Sequence, residues 1–397
     1  MKRILSLLLV LSLLLPAAVF AEDDEELSAE DIIEEEVILD DDGNEILVDE
    51  ETGEGFVITS ADQDKLDDLT AHYEVDDTVD PDTLECNPNL PDNVINILLL
   101  GVDVKGTGTE KMLKDQEKYA KRSDVIMILS INKDDGSIKL SSIARNTFVE
   151  VPGRKNKTII ANSYGNGVYE NGKYKSWNET PSLVVRTVNH NFEMNIQYYV
   201  ATNFYGVASI IETLGGVDID LTKTEATAIN AYLRKHKSAI SRTYDDKNGK
   251  RDALKAQSGV QHLDGIQALM YARLRSIDSD FVRTARTRHL LDCMLKPTIQ
   301  KIKNKELSVI DLVSDFIDYF VTNMNASDIF SIAADVLNGG IMNRLDSDTL
   351  ISEFRIPMDD TWKYATANGS SVTMMTDKQL NVESLHEFIY GKYYPAN

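Results

Sequence analysis

Val94 to Asp103 reads VINILLLGVD, a run of strongly apolar character that ends in a glycine, a valine and a carboxylate. A second such run, Val125 to Ile131, is followed by the turn Asp134-Asp135-Gly136 and a third extended run, Ile138 to Ile143. Short apolar runs bounded by turn residues predict neighbouring strands, and strands this apolar belong in a sheet covered on both faces. Tyr198 to Ala201 and Val217 to Leu221 read as further strands. Helical spacing is found over Pro181 to Phe192, Phe204 to Leu214, Asp264 to Arg275, Phe281 to Lys303, Val309 to Thr322 and Val382 to Tyr390, with Asn203, Asp280 and Ser308 placed as N-caps. Strands and helices alternate, and no internal repeat or Pro-rich linker divides them. The pattern predicts one three-layer α/β domain over residues 91–397.

The 397-residue chain is 42% hydrophobic and 27% charged, ordinary values for a globular protein with a sizeable core. Its net charge of −24 is local: residues 22–82 hold 27 of the 65 acids and one base, Lys65. Residues 83–397 are electrically neutral, which removes the case for a basic nucleic-acid binder. Residues 22–90 are poor in aromatics and largely aperiodic, so they read as an acidic, solvated spacer. Before them, Lys2 and Arg3 precede an uncharged run from Ile4 to Ala21, with Val19 and Ala21 at the spacing of a signal-peptidase site. Residues 1–21 therefore read as a signal peptide or membrane anchor and the chain as exported. Cys86 and Cys293 are the only cysteines, too few for a disulfide framework or a zinc site, and two free thiols are favoured over a bridge.

Familiar catalytic signatures are absent. The six histidines offer no metal-ligand pair at helical spacing, there is no Gly-x-Ser-x-Gly elbow, and Gly106-Thr107-Gly108-Thr109 lacks the ending of a phosphate-cradling loop. The unusual segment is Tyr271 to Arg288, where Arg273, Arg275, Arg283, Arg286 and Arg288 are interleaved with Asp278 and Asp280. Guanidinium groups brought together repel unless an anion or carboxylates lie between them. Phosphate or pyrophosphate suits their planar, bidentate donors, while a solvated, salt-bridged helix face is the plainer alternative. A second cluster falls at strand ends: Asp103 closes the first strand, Arg122-Ser123-Asp124 opens the second, and Arg145 follows the third. Ligands of open α/β sheets bind beyond strand ends. Two carboxylates facing arginines there would hold a divalent metal on a polyphosphate.

At these residues the sequence resembles the LytR-CpsA-Psr family of exported phosphotransferases, from about Asn93 to about Met324. The matching stretches are Leu99 to Asp103 (LLGVD), Arg122 to Ile131 (RSDVIMILSI), Lys139 to Gly153 (KLSSIARNTFVEVPG), Leu214 to Asp218 (LGGVD) and Gly259 to Arg288 with its YARLR and DFVRTARTR. The resemblance implies an α-β-α sandwich around a central mixed sheet. It also implies transfer of a glycopolymer, of teichoic-acid or capsule type, from a polyprenyl-pyrophosphate carrier to a peptidoglycan hydroxyl at the outer face of the cytoplasmic membrane. Carried over residue by residue, it implies Asp103 and Asp124 as ligands of Mg²⁺ or Mn²⁺, and Asp103, Asp124, Arg145 and Arg283 as catalytic. Arg122, Arg145, Arg273, Arg275, Asp280, Arg283 and Arg286 would bind substrate. Asn146 stands where the family often has Asp, and Thr287 where it often has Gln. A non-catalytic envelope protein binding polyprenyl pyrophosphate or anionic glycopolymer is the alternative reading. Transcriptional regulation is the weakest, because export separates the chain from DNA.

Overall fold

The computed structural model describes residues 84–102, 122–166, 169–170, 173–174, 179–235, 252–274, 280–304, 306, 315–316, 319–325, 328–329, 332, 351–367 and 370–396. The expected export segment, nearly all of the acidic spacer, Asp103, the Gly106 to Thr109 turn, Arg275 and Ser308 lie outside these residues.

In chain order the strands are β1 (Val94–Val102), β2 (Ser123–Asn132), β3 (Ile138–Ile143), β4 (Phe148–Val149), β5 (Thr158–Ile159), β6 (Tyr169–Glu170), β7 (Lys173–Tyr174), β8 (Tyr198–Thr202), β9 (Val217–Leu221), β10 (Gly259–Leu263), β11 (Val321–Thr322), β12 (Ile351–Ile356), β13 (Trp362–Ala367) and β14 (Ser370–Met375). The helices are α1 (Asn162–Asn166), α2 (Glu179–Phe192), α3 (Phe204–Thr213), α4 (Lys223–Lys235), α5 (Gly265–Arg273), α6 (Asp280–Lys303) and α7 (Lys378–Tyr390). Six strands form a central mixed sheet in the order β11-β8-β1-β2-β3-β12. β1 pairs antiparallel with β2 and parallel with β8, and β3 pairs antiparallel with β2 and parallel with β12. The C-terminal ends of β1, β3, β8 and β12 therefore share one edge of the sheet with the N-terminal end of β2.

The apolar runs of the sequence become the two faces of this sheet by the period of two that every strand imposes. Ile97, Leu99, Val125, Met127, Leu129 and Val200 pack on one face with α3, α4, α5 and α6. Leu98, Leu100, Ile126, Ile128, Tyr199 and Ala201 pack on the other with α2 and α7. The three-layer α-β-α sandwich around a mixed sheet is thus the observed architecture. Cys86 and Cys293 are both free thiols and pack against opposite faces.

Three expectations change. The globular body starts earlier than residue 91: Leu84 is fully buried, and Asn189 on α2 donates to its carbonyl at 2.8 Å while bonding both backbone groups of Ile196. The expected helix over Val309 to Thr322 does not run to its end, because Val321–Thr322 pairs antiparallel with Val200 and Ala201 as the sheet's short edge strand. Asn203 caps α3 as expected, accepting from the Gly206 N–H at 3.0 Å. Asp280, read as an N-cap, is already the first residue of α6. Among the described residues no helix is long and apolar enough to cross a membrane.

A close helix contact in the layer of α3 to α6 is made at a glycine. Asp264 caps α5 through a reciprocal capping box with Gln267. Gly265 then opens the helix, its N–H donating to Glu212 of α3 at 2.8 Å. A Cβ on Gly265 would lie 2.0 Å from the Ala208 carbonyl oxygen, which belongs to the α3 backbone and has no rotamer to yield. Gly265→Ala is therefore expected to push α3 and α5 apart and cost about 1–3 kcal/mol, as overpacking does. Urea unfolding at equilibrium reads this directly, and an unchanged midpoint would show that the two helices do not touch here.

Candidate functional site

The edge shared by β1, β2, β3, β8 and β12 carries a nearly buried ion pair. Asp124 is the second residue of β2 and Arg145 lies two residues beyond β3, and Arg145 Nη1 donates to Asp124 Oδ1 at 2.7 Å. Their side chains are 8% and 11% exposed, respectively. Such a distance marks a charge-assisted hydrogen bond. The backbone around the pair is equally fixed. Ala161 N–H donates to the Arg145 carbonyl at 3.1 Å, and its own carbonyl accepts from Ser123 N–H at 3.2 Å. One residue thereby ties the segment carrying Arg145 to the start of the strand carrying Asp124. On its other side, Ala144 N–H donates to the carbonyl of Ile356, at the end of β12, and Thr373 N–H of β14 donates to the Asn146 carbonyl.

At β1 the register shifts between Gly101 and Val102, so that Val102 faces Ser123 rather than continuing the ladder evenly. Ser123 Oγ accommodates the irregularity by donating at 3.2 Å to the Gly101 carbonyl and at 2.7 Å to that of Val125. This is the physical end of the run that opened as VINILLLGVD. Asp103, its last residue, lies outside the described residues. Arg122, immediately before β2, is solvent-exposed at the same edge.

Of the arginines placed on phosphate by sequence, Arg273 is the last residue of α5 and is 9% exposed. Arg275 lies outside the described residues. Asp280, Arg283 and Thr287 sit on α6, the last two three to seven residues into it, with side chains outside the described set. Arg286 is 4% exposed and its Nε donates to Glu225 Oε1 at 2.7 Å. Its Nη1 donates to the Leu274 carbonyl at 3.0 Å. The structure therefore brings Asp124 to Arg145, and Arg286 to Glu225 and the end of α5. Glu225 was not singled out by sequence, although Thr222-x-x-Glu225 is a capping box: Glu225 N–H donates to Thr222 Oγ1 at 3.2 Å and Thr222 N–H to Glu225 Oε2 at 2.8 Å.

A separate cleft of about 320 Å³ is lined by Glu150, Arg154, Lys157 and His190. Hydrogen bonds from Lys157 and then His190 pull the Glu150 carboxyl down to about 2. These side chains are a third to a half exposed and pair with one another, so solvent screens them. None belongs to the sequence-derived set.

A family model described as the LytR_cpsA_psr family matches residues 57–382. The polyisoprenyl-teichoic acid–peptidoglycan teichoic acid transferase TagT of Bacillus subtilis (strain 168) is 28% identical over 230 residues, 58% of each chain. The transferase of the same description called TagU, from Bacillus mycoides (strain KBAB4), is 28% identical over 204 residues, 51% of this chain and 52% of its own. The chain thus spans about half the length of these relatives. The crystal structure of B. subtilis TagV superposes with a TM-score of 0.48 at 20% identity, over 77% of this chain and 100% of that one, a likeness on which nothing below rests.

Breaking a buried ion pair strands a charge, whereas replacing both partners by apolar groups does not. Asp124→Ala is expected to cost about 3–5 kcal/mol of stability. The double variant Asp124→Leu/Arg145→Met is expected to recover most of that. Paired denaturation curves check both, and a loss under 0.5 kcal/mol for the single variant would mean that water screens the pair as at an open surface.

Proposed function

The chain belongs to the LytR_cpsA_psr family, and from that premise we propose that it is an extracytoplasmic phosphotransferase that moves a glycopolymer from a polyprenyl-pyrophosphate carrier onto a peptidoglycan hydroxyl. The observation that carries the reading is the Asp124–Arg145 pair, held nearly dry at the strand-end edge where ligands of α/β sheets bind. A carboxylate and a guanidinium kept together in low dielectric are costly as structure, and are what a phosphoryl-transfer site needs as chemistry. The relatives' names, which specify teichoic acid as cargo and peptidoglycan as acceptor, support the same substrate class.

In this reading the acceptor hydroxyl oxygen attacks the phosphorus nearer the sugar. The bond from that phosphorus to the bridging oxygen breaks, and the bridging oxygen leaves with its electron pair as part of polyprenyl phosphate. The hydroxyl proton passes to Asp124 or Asp103, the two carboxylates that the sequence reading puts at strand ends. Arg145, Arg273, Arg275 and Arg283 bind the non-bridging oxygens, and Arg122 and Asp280 flank them. Fixed donors of this kind stabilise the charge that develops on the leaving group without reorganising.

The donor set fits a divalent ion carried by the substrate. Among the described residues no group of three or more His, Cys, Asp and Glu could hold a metal by itself. One or two carboxylates completed by phosphate oxygens is the shell that Mg²⁺ accepts, and Asp124 with Asp103 would supply it. Bound there, Mg²⁺ or Mn²⁺ would screen the pyrophosphate charge. In this reading the chemistry takes place at the outer face of the cytoplasmic membrane, and the acidic segment before residue 83 is the spacer that separates it from the lipid surface.

Arg273→Ala and Arg283→Ala are each expected to remove roughly 1.5–3 kcal/mol of phosphate interaction, more where water is excluded. Transfer from lipid-linked polymer to peptidoglycan would fall to background while the protein stays folded by circular dichroism. Near-normal transfer in both variants would sink the proposed site. The metal is tested by calorimetry without turnover. Mg²⁺ should bind weakly to the protein alone and more tightly once pyrophosphate is present, and Asp124→Asn should reduce that gain. Equally tight Mg²⁺ binding with and without pyrophosphate would mean that the carboxylates serve only as counter-ions to arginine.

A further inference from the structure

The sequence places Arg286 among the phosphate ligands, and its surroundings argue for a different task. Its guanidinium lies between three helices. Nε donates to Glu225 Oε1 on the first turn of α4 at 2.7 Å, and Nη1 donates at 3.0 Å to the carbonyl of Leu274, the residue that follows α5. The other Glu225 oxygen is also engaged, accepting from both the N–H and the hydroxyl of Thr222 at 2.8 Å. Burial pushes the Glu225 carboxyl up, and the hydrogen bonds from Thr222 and Arg286 outweigh that, so its pKa lies below the ordinary carboxylate value. A carboxylate 2.7 Å from Nε competes directly with any phosphate for that donor. A planar, rigid guanidinium also cannot follow one partner without moving the other.

Leu274 is the C-cap of α5, and Arg273, 9% exposed, is the residue before it. Its side chain leaves the backbone one peptide away from the carbonyl that Arg286 holds. We infer that Arg286 is a positioning residue: anchored by Glu225, it fixes the Leu274 carbonyl and with it the end of α5 from which Arg273 meets the pyrophosphate. This rests on the phosphotransferase reading above and changes one assignment within it. Groups that hold a ligand-binding side chain in place are often worth about 10-fold or more in affinity without touching the ligand.

The two roles predict opposite signs for one substitution. Glu225→Gln keeps the size of the side chain and removes its charge. If Arg286 acts through Glu225, pyrophosphate binding weakens; if Arg286 is itself a phosphate ligand, losing the competing carboxylate leaves binding unchanged or tightens it. The experiment is calorimetric titration of inorganic pyrophosphate, with Mg²⁺, into the purified protein and its Glu225→Gln, Arg286→Lys, Arg273→Ala and Arg273→Ala/Arg286→Lys variants. All are measured well below their melting temperatures, with folding verified by circular dichroism. Arg286→Lys retains the charge opposite Glu225 but loses the fork. Each of the first two substitutions is expected to raise Kd by about 10-fold. On the Arg273→Ala background Arg286→Lys should add less than about twofold, because its effect passes through Arg273. A merely structural loss would not depend on the residue at 273.

Wild-type or tighter binding by Glu225→Gln, or a full additional loss in the double variant, overturns the inference. Should Arg286→Lys not fold, Glu225→Gln decides alone by its sign. Absence of pyrophosphate binding by the wild-type protein overturns the phosphotransferase reading itself and the inference with it, an outcome distinct from the others.

Discussion

Covering a sheet on both faces leaves charge only one place to go. The middle of β1, β2 and β3 is dry from either side, and an unpaired ion there would cost several kcal/mol. Charged residues of these strands are therefore confined to the edges, and at the edge shared by β1, β2, β3, β8 and β12 they meet: Arg122 and Asp124 at the start of β2, and Arg145 beyond β3. The same constraint that makes the strands recognisable as apolar runs thus assembles the candidate site. The hydrogen bonds through Ala161 then convert adjacency into a fixed geometry, because Arg145 and Ser123 share it as a partner.

Two nearly buried ion pairs among the described residues need different explanations. Asp124–Arg145 sits at the edge of the sheet, and in the proposed function its desolvation cost is the cost of holding charge ready for an incoming phosphate. Arg286–Glu225 lies among α4, α5 and α6, where its side chains bond one another, Thr222 and the Leu274 carbonyl. A buried pair is weak evidence for stability, since a well-packed apolar substitute often does as well. What the second pair provides is directional: a rigid fork that joins the first turn of α4 to the end of α5. The layer is close-packed enough for such a link to matter, as the approach of Gly265 to Ala208 shows.

Much of this was legible in the chain, for physical reasons that also mark where reading stopped. β1, β2 and β3 are read correctly because both-face burial writes a run that needs no partner to be seen, and α2, α3, α5, α6 and α7 follow from apolar spacing. β12, ISEFRI, escaped because it is an edge strand whose polar residues face outward and whose partner, β3, lies some two hundred residues earlier. Val321 and Thr322 were absorbed into a helical pattern because their strand exists only through pairing with β8. The early boundary at Leu84 depends on Asn189, a contact made across 105 residues. For the site, strand-end placement found Asp124 and Arg145 together. Charge pattern alone could not separate Arg286 from the arginines proposed to bind phosphate, since the carboxylate it bonds is 61 residues away.

The central claim is that the protein transfers a sugar phosphate, with attack at the phosphorus nearer the sugar. It is tested most directly by a lipid-linked glycopolymer carrying a radioactive label only in that sugar-proximal phosphate. Incubated with the protein, Mg²⁺ and peptidoglycan, the account predicts that the label moves to peptidoglycan in a phosphodiester link and that the released polyprenyl monophosphate is unlabelled. Label leaving with the lipid, or remaining on intact donor at the level of a protein-free control, would contradict it.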